Sequence, residues 1–454
     1  MPNHKVRKQI HLAAHFPGVN NTTVWSVPES GSQIDFESFA HLARTAERGL
    51  FDFFFLAEGL RLREHRGRIF DLDVVGRPDT FTVLNALAGV TTRLGLAGTI
   101  NTTFNEPFEL ARQFATLDHL SGGRAAWNAV TSSDAFTGEN FRRGGYLEHA
   151  QRYVRAAEVI DATRAIWDSR VGGTPVVDRA RGIFDAPASR FAYRGTQFDI
   201  QGTFALPVSP QGYPVQIQAG DSDEGREFAA AKADAVFSRH GELEDGKVFY
   251  TDVKSRLAKY GRARDDLKIL PAATFVLGDT AADAQERAHD IRLRQVGPQT
   301  AIAFLEQVWG RDLSGYDPDG PLPDVDPVDN ATITRGRVRH AKDPAEVARS
   351  WRERAEAEKL SIRELIIEVT ARQQFVGTPA QVAAEIDLYV QSDAADGFVL
   401  VPHLTPAGLD EFVAKVVPEL QDRGSFRTEY RGATLRDHLD LRHPHHGTEG
   451  VRAS

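Results

Sequence analysis

Short, almost wholly apolar runs recur along this chain, and longer stretches of helical spacing separate them. The runs are Gln9–Phe16, Phe51–Ala57, Leu94–Ile100, Ala125–Val130, Val215–Ala219, Ala235–Arg239, Leu267–Leu277 and Gly397–Val401. A run that is apolar on both faces predicts a strand covered on both sides, as in a parallel sheet. Between the runs, Phe36–Gly49, Pro78–Val90, Leu147–Trp167, Asp223–Lys232, Gly241–Gly261, Ala281–Arg294, Leu360–Val369, Pro379–Gln391 and Gly408–Gly424 read as helices. After the third run, Glu106-Pro107 opens a further helix whose apolar face is Phe108, Leu110, Ala111, Phe114, Ala115 and Leu117, and Ser121-Gly122-Gly123 stops it.

Eight strands alternating with helices predict a parallel sheet with helices outside, and the count points to an α/β (β/α)8 TIM barrel over residues 1–424. An open doubly wound sheet is the alternative. Two stretches break the alternation: about 168–214 after strand four, rich in Gly, Pro and Arg, and about 296–359 after strand seven, which contains the Pro/Asp run Asp317–Asp329. Both are expected to be irregular insertions. Residues 425–454 read as a charged, solvated C-terminal tail.

Composition narrows the function. The 454 residues carry a net charge of −9, which argues against a nucleic-acid partner. No apolar run is long enough to cross a membrane, and the basic N-terminus lacks a signal-peptide core, so a cytoplasmic location is expected. The chain has no cysteine, which removes disulfides and thiolate chemistry. There is no GxGxxG after a strand, no GxxxxGK[ST] and no HExxH, and no metal site is expected.

Ligands of parallel barrels sit beyond the carboxyl ends of the strands. At two neighbouring ends lie Thr99 and Asn101, and Asn128, Thr131, Ser132 and Ser133, a set of hydroxyls and amides suited either to binding or to turns and caps. Glu58 ends strand two, and His15 and His403 end strands one and eight. The turn Ala219-Gly220-Asp221-Ser222 precedes a helix, where free N–H groups attract an anion; Asp221 or Ser222 could equally be a simple N-cap. His149 and Tyr153 are four apart and share a helical face.

The stretch TTFNEPFELARQFATLDHLSGGRAAWNAVTS resembles the core of the nitrilotriacetate monooxygenase-type branch of the bacterial-luciferase-like flavin monooxygenases. GLFDFFFLAEG, LEHAQRY, PVQIQAGDSDEGREFAA, FVGTPAQVA, DGFVLV and VVPELQDRG extend the resemblance in order from about Gln9 to Arg427. It implies a barrel that binds reduced FMN, supplied by a separate NAD(P)H-dependent flavin reductase, and uses O2 to oxygenate a small organic substrate, with C–S or C–N cleavage as the usual outcome. It implies cofactor contacts from Glu58, where most relatives have Asp, and from Thr99 and Asn128, with His149, Tyr153, Asp221 and Ser222 around the phosphate. Some relatives carry a catalytic histidine just after the VTS motif; that place is Ser133 here, which makes Ser133 and His15 the catalytic candidates. A homodimer or homotetramer is expected. The alternatives are a deazaflavin F420-dependent oxidoreductase on the same scaffold and a non-catalytic flavin-binding protein.

Overall fold

The structure is a computed structural model that describes residues 7–18, 22–60, 64–65, 68–69, 77–131, 140–141, 149–169, 176–185, 189–328, 334–335, 343–370 and 374–444. Eight strands close into a barrel in chain order: β1 His11–His15, β2 Phe53–Leu56, β3 Gly95–Asn101, β4 Ala125–Val130, β5 Val215–Gln218, β6 Ala235–Ser238, β7 Lys268–Ala273 and β8 Gly397–Leu400. Every neighbouring pair is parallel, and β8 returns to β1. Each of the eight apolar runs therefore contains one barrel strand.

Alternation along the strands explains both faces. Ala13, Phe53, Phe55, Ala97, Ala126, Val215, Ile217, Ala235, Leu270 and Val399 form one buried cluster inside the barrel. Their neighbours Leu12, Ala14, Phe54, Leu56 and Leu96 pack outward against the helices. Small and large residues interleave across the interior, so side chains fill it. At the closing seam a Cβ on Gly397 would lie 1.8 Å from the carbonyl oxygen of His11, so only glycine allows β8 to approach β1.

The surrounding helices are α1 Phe36–Arg48, α2 Thr80–Ala88, α3 Pro107–Leu120, α4 His149–Asp168, α5 Asp223–Lys232, α6 Leu243–Arg256 and α7 Ala281–Gln295. After them come α8 Pro298–Trp309, α9 Pro344–Glu358, α10 Ile362–Thr370, α11 Pro379–Gln391 and α12 Asp410–Asp422. Their starts carry the expected chemistry. Asp79 accepts a bond from the Thr82 N–H at α2, Pro107 opens α3, and Thr378 and Gln381 form a capping box at α11.

Three expectations are corrected. The run Leu267–Leu277 is two strands, because β7 stops at Ala273 and Phe275–Leu277 leaves the barrel to pair in parallel with Phe375–Gly377. Both pieces are buried, so hydropathy alone reads them as continuous. The segment 296–359 is not irregular: it contains α8 and α9, which with α10 enclose a core of their own around Trp309, Ile302, Leu305, Leu313 and Ile366. Finally, the described part of the C-terminal segment is not solvated. A short helix, α13 Leu435–His438, together with Leu439 and Leu441 joins the barrel-interior cluster from the amino ends of the strands and closes that end. Between α4 and β5 the chain forms two antiparallel hairpins, Val176–Asp178 with Ile183–Asp185, and Ser189–Arg194 with Asp199–Phe204.

Candidate active site

At the carboxyl ends of the strands the interior rows change from apolar to polar. Ala13 is followed on the same face by His15, Ala97 by Thr99 and Ala126 by Asn128, each one pleat nearer the mouth. Thr99 and Asn128 are direct partners across β3 and β4, and the Asn128 Nδ2 donates to the Thr99 Oγ1 at 2.9 Å. His15 lies opposite Phe55 on β2, with ring centroids 5.4 Å apart. Phe55 in turn stacks on Phe237 of β6 at 5.4 Å and 9°. The two phenylalanines form an apolar floor, and the polar row stands above it.

This row has unmet hydrogen-bonding capacity. Neither ring nitrogen of His15, nor the Asn128 Oδ1, has a partner among the described residues, although all three atoms are buried. Leaving such an atom unmet costs about 1–3 kcal/mol, so a bound ligand edge bearing donors and acceptors would recover it. Burial, with Arg77 nearby, lowers the His15 pKa to about 3, so its imidazole is neutral and offers one donor and one acceptor.

Glu58 follows β2 and is engaged by Asn101. The Asn101 side-chain amide donates to both carboxylate oxygens at 3.0 Å, and the Asn101 backbone N–H donates to Oε2 at 3.1 Å. Burial raises the carboxyl to about 7, against the lowering effect of those bonds and with Asp79 adding to the rise. Asn101 is legible in the sequence as a strand-end amide, but its pairing with Glu58 is not. Arg77 is a residue that sequence reasoning misses. It donates to the carbonyls of Ala57 and Pro17 and so ties the ends of β1 and β2 together.

The turn after β5 does two jobs. The Ser222 Oγ accepts from the Gly225 N–H at 3.1 Å and caps α5, while its own hydroxyl hydrogen stays available as a donor. Asp221, whose charge would oppose an anion, is tied to the His240 Nε2 at 2.6 Å and lies 3.5 Å from the Arg226 guanidinium. Tyr153, half-buried, is in the first turns of α4. Lower down, Lys232 of α5 pairs with Asp161, and Arg164 donates to the Lys232 carbonyl, so α4 and α5 pack side by side. At about 1.5 Å per residue, Tyr153 lies roughly 12 Å above Asp161 and Ser222 roughly 15 Å above Lys232, which puts both at the same end of the barrel. Arg155 fixes the height of α4 by donating to the carbonyls of Thr102 and Asn105 beyond β3.

His149 opens α4, but its side chain is outside the described residues, as is Ser133. His403 does not join the row. It sits near Arg287 and Glu411 of the outer helices, and burial lowers its pKa to about 4. Thus His15, Glu58, Thr99, Asn128, Tyr153, Asp221 and Ser222 all lie at the carboxyl end of the barrel. Among the described residues, no group of three or more His, Cys, Asp or Glu is placed to hold a metal, and no helix is long and apolar enough to cross a membrane.

The family model described as luciferase-like monooxygenase matches residues 18–396. The chain belongs to that family. This monooxygenase is 39% identical over 424 residues to nitrilotriacetate monooxygenase component A of Aminobacter aminovorans, covering 90% of this chain and 91% of that protein. It is 38% identical over 458 residues to the dibenzothiophene-sulfone monooxygenase of Rhodococcus erythropolis, covering 96% and 98%. Among solved structures, EDTA monooxygenase from Chelativorans sp. BNC1 superposes with a TM-score of 0.72 at 28% identity, covering 96% of this chain and 99% of that one.

Proposed function

We propose that this monooxygenase is the oxygenase component of a two-component system, taking reduced FMN from a separate NAD(P)H-dependent flavin reductase and using O2 to oxygenate a small organic substrate. The observation that carries the reading is the buried polar row above the Phe55–Phe237 floor, in which both His15 ring nitrogens and the Asn128 Oδ1 have no hydrogen-bond partner among the described residues. An isoalloxazine has one edge of alternating donors and acceptors and an apolar face, which fits such a row and floor. The bound reduced flavin supplies the electrons for oxygen activation.

In this reading Thr99 and Asn128 hold the ring edge, and Asn101 holds Glu58 beside it. The neutral His15 and Ser133 border the reacting space. Ser222, Tyr153 and His149, with the N–H groups of the first turn of α5, receive the phosphate. Asp221 keeps His240 and Arg226 in place around that turn. The barrel interior below the site is filled, which helps exclude water from it. The name "component A" of the nitrilotriacetate relative supports a partner component. The reading includes a cytoplasmic location and a homodimer or homotetramer. The exposed apolar side chains Val177 and Phe184 of the hairpin after β4 are compatible with an assembly face.

Ser222→Asp is a clean test, because aspartate caps a helix as well as serine does and adds only charge. FMN binding, read by fluorescence quenching, is expected to weaken at least tenfold while riboflavin binding stays the same. Equal loss of both would reject the phosphate role. No binding of FMN to the unaltered protein would reject the cofactor, and preference for F420 would replace it.

A further inference from the structure

A cavity of about 370 Å³ opens at the amino end of the barrel. Its walls come from separate parts of the chain. Tyr213, Asp234 and Asp266 stand just before β5, β6 and β7. Arg164 and Lys232 lie near the ends of α4 and α5, and Arg262 in the connection between α6 and β7. Arg436 of α13 and residues 441–444 complete the wall from the C-terminal segment. The length of the strands separates this cavity from Thr99, Asn128 and Ser222, which belong to the carboxyl ends.

The charges around the cavity do not balance. Arg164, Lys232, Arg262, Arg436 and Arg442 line it against Asp234 and Asp266. Both acids are already answered, Asp234 by Arg436 at 2.8 Å and Asp266 by Arg442. Lys232 pairs with Asp161. Arg164 and Arg262 form no ion pair among the described residues and donate to backbone carbonyls instead. Arg164 donates to the Lys232 carbonyl at 2.5 Å, and Arg262 to those of Ala230, Ala233 and Asp266 at 2.9, 2.6 and 2.6 Å. These bonds cover carbonyls at the end of α5, which would otherwise repel an anion, and leave two positive charges without a counter-charge.

Fastening the C-terminal segment accounts for Arg436 and Arg442, which reach from it to acids of the barrel. It does not account for Arg164 and Arg262, which belong to the barrel side. Burial lowers the Arg262 pKa, and Arg164 and Arg436 add to the lowering against Asp234 and Asp266. An anion between these arginines would offset that repulsion.

The cavity also indicates the class of anion. Guanidinium groups suit a dianion with several acceptor oxygens, as in phosphate. The volume falls in the range of small-molecule sites, about 300–1,000 Å³. Tyr213, whose ring stacks on Trp167 with centroids 5.8 Å apart, and Leu441 give the cavity an apolar wall suited to an organic group. We propose that this cavity binds a phosphate dianion, free or at the end of a small phosphomonoester, with Arg164 and Arg262 facing the anion, and that its occupation fastens the C-terminal segment to the barrel. A ligand that touches both walls favours the closed state by mass action. The proposal is independent of the flavin reading.

The test is calorimetric titration with inorganic phosphate, glycerol 3-phosphate and glycerol, with a melting curve at each ligand concentration. Ser222→Asp serves as the background, because its added charge blocks the anion turn at the other end of the barrel. Arg164→Gln and Ala231→Glu are then added singly. Ala231 lines the cavity, and glutamate there adds a like charge without removing a side-chain hydrogen bond. Melting without ligand verifies that each variant is folded. Phosphate or its ester is expected to bind the background protein and raise its melting temperature, and glycerol to do neither. Each added change is expected to weaken binding at least about tenfold. Tighter binding of the ester than of the ion would support an ester as the ligand, and the reverse free phosphate. Absence of phosphate and ester binding in the Ser222→Asp background would overturn the proposal, since any anion bound by the unaltered chain would then sit at the turn after β5. Binding that is unchanged in a folded Arg164→Gln or Ala231→Glu variant would overturn it as well.

Discussion

Glu58 shows what the burial of one carboxyl at the mouth of the barrel costs. Its carboxyl has an ordinary value of 4.5 and is raised to about 7 by burial. The folded state therefore binds more protons than the unfolded state between those values, and stability falls as pH rises through that window. Glu58→Gln keeps an acceptor for the Asn101 N–H and removes the buried charge. The variant is expected to melt higher than the unaltered protein at pH 8 and equally at pH 4, by calorimetry at each pH. A gain that is the same at both values would refute the assignment. The sequence made Glu58 visible as a strand-end acid. It could not display the Asn101 clamp, because a hydrogen bond between the ends of two strands depends on their register. The same holds for His15: its position was legible, but that neither ring nitrogen finds a hydrogen-bond partner among the described residues is a property of the closed barrel.

At the scale of elements, strand and helix periods were readable wherever an element packs on one continuous partner. They misled where the partner changes. Thr274 illustrates this: its backbone carbonyl receives the Phe375 N–H, so the chain leaves the barrel there without any break in hydropathy. The second insertion hides its order for a different reason. Its helices pack on each other rather than on the barrel, and Pro- and Asp-rich turns separate them. Trp309 is fully buried at the centre, its indole N–H donating to the Val325 carbonyl at 2.7 Å. Trp309→Ala is expected to cost about 3–5 kcal/mol within that unit. Limited proteolysis should then cut between residues 296 and 361 first while FMN affinity persists. Simultaneous loss of the barrel would indicate that the insertion does not open independently.

For the whole molecule, the amino end of the barrel is closed by the segment after α12, and ion pairs from Arg427, Arg436 and Arg442 to Asp52, Asp234 and Asp266 help to hold it. Asp52 is wholly buried; the Arg427 guanidinium donates to its Oδ1 at 2.6 Å, and His11 lies 3.2 Å from the same oxygen. Burial acts to raise the carboxyl, but Arg427 and His11 outweigh it and hold Asp52 well below the usual range. This stabilisation is complete above the unfolded value near 3.8 and is lost as pH falls toward the folded one. Arg427→Ala leaves a buried carboxylate without its main partner and is expected to cost about 3–5 kcal/mol. Urea titration at pH 7 should register that loss, and acid unfolding should begin at higher pH than in the unaltered protein. An unchanged acid midpoint would show that the segment contributes nothing through this pair.

The sequence alone determined the eight strands, most of the helices around them and the end of the barrel that carries the polar residues, since local period and turn chemistry encode each of these. Its motifs also placed the chain among the luciferase-like monooxygenases. Only the tertiary structure decided that Asn101 holds Glu58, that Ser222 caps its helix while keeping a donor free, and that residues 425–441 seal the barrel. It alone decided that Glu64–His65 and Thr334–Arg335, more than 260 residues apart, pair in one sheet. Those outcomes depend on strand register and on long-range closure, and neither is written in the spacing of residues along one segment.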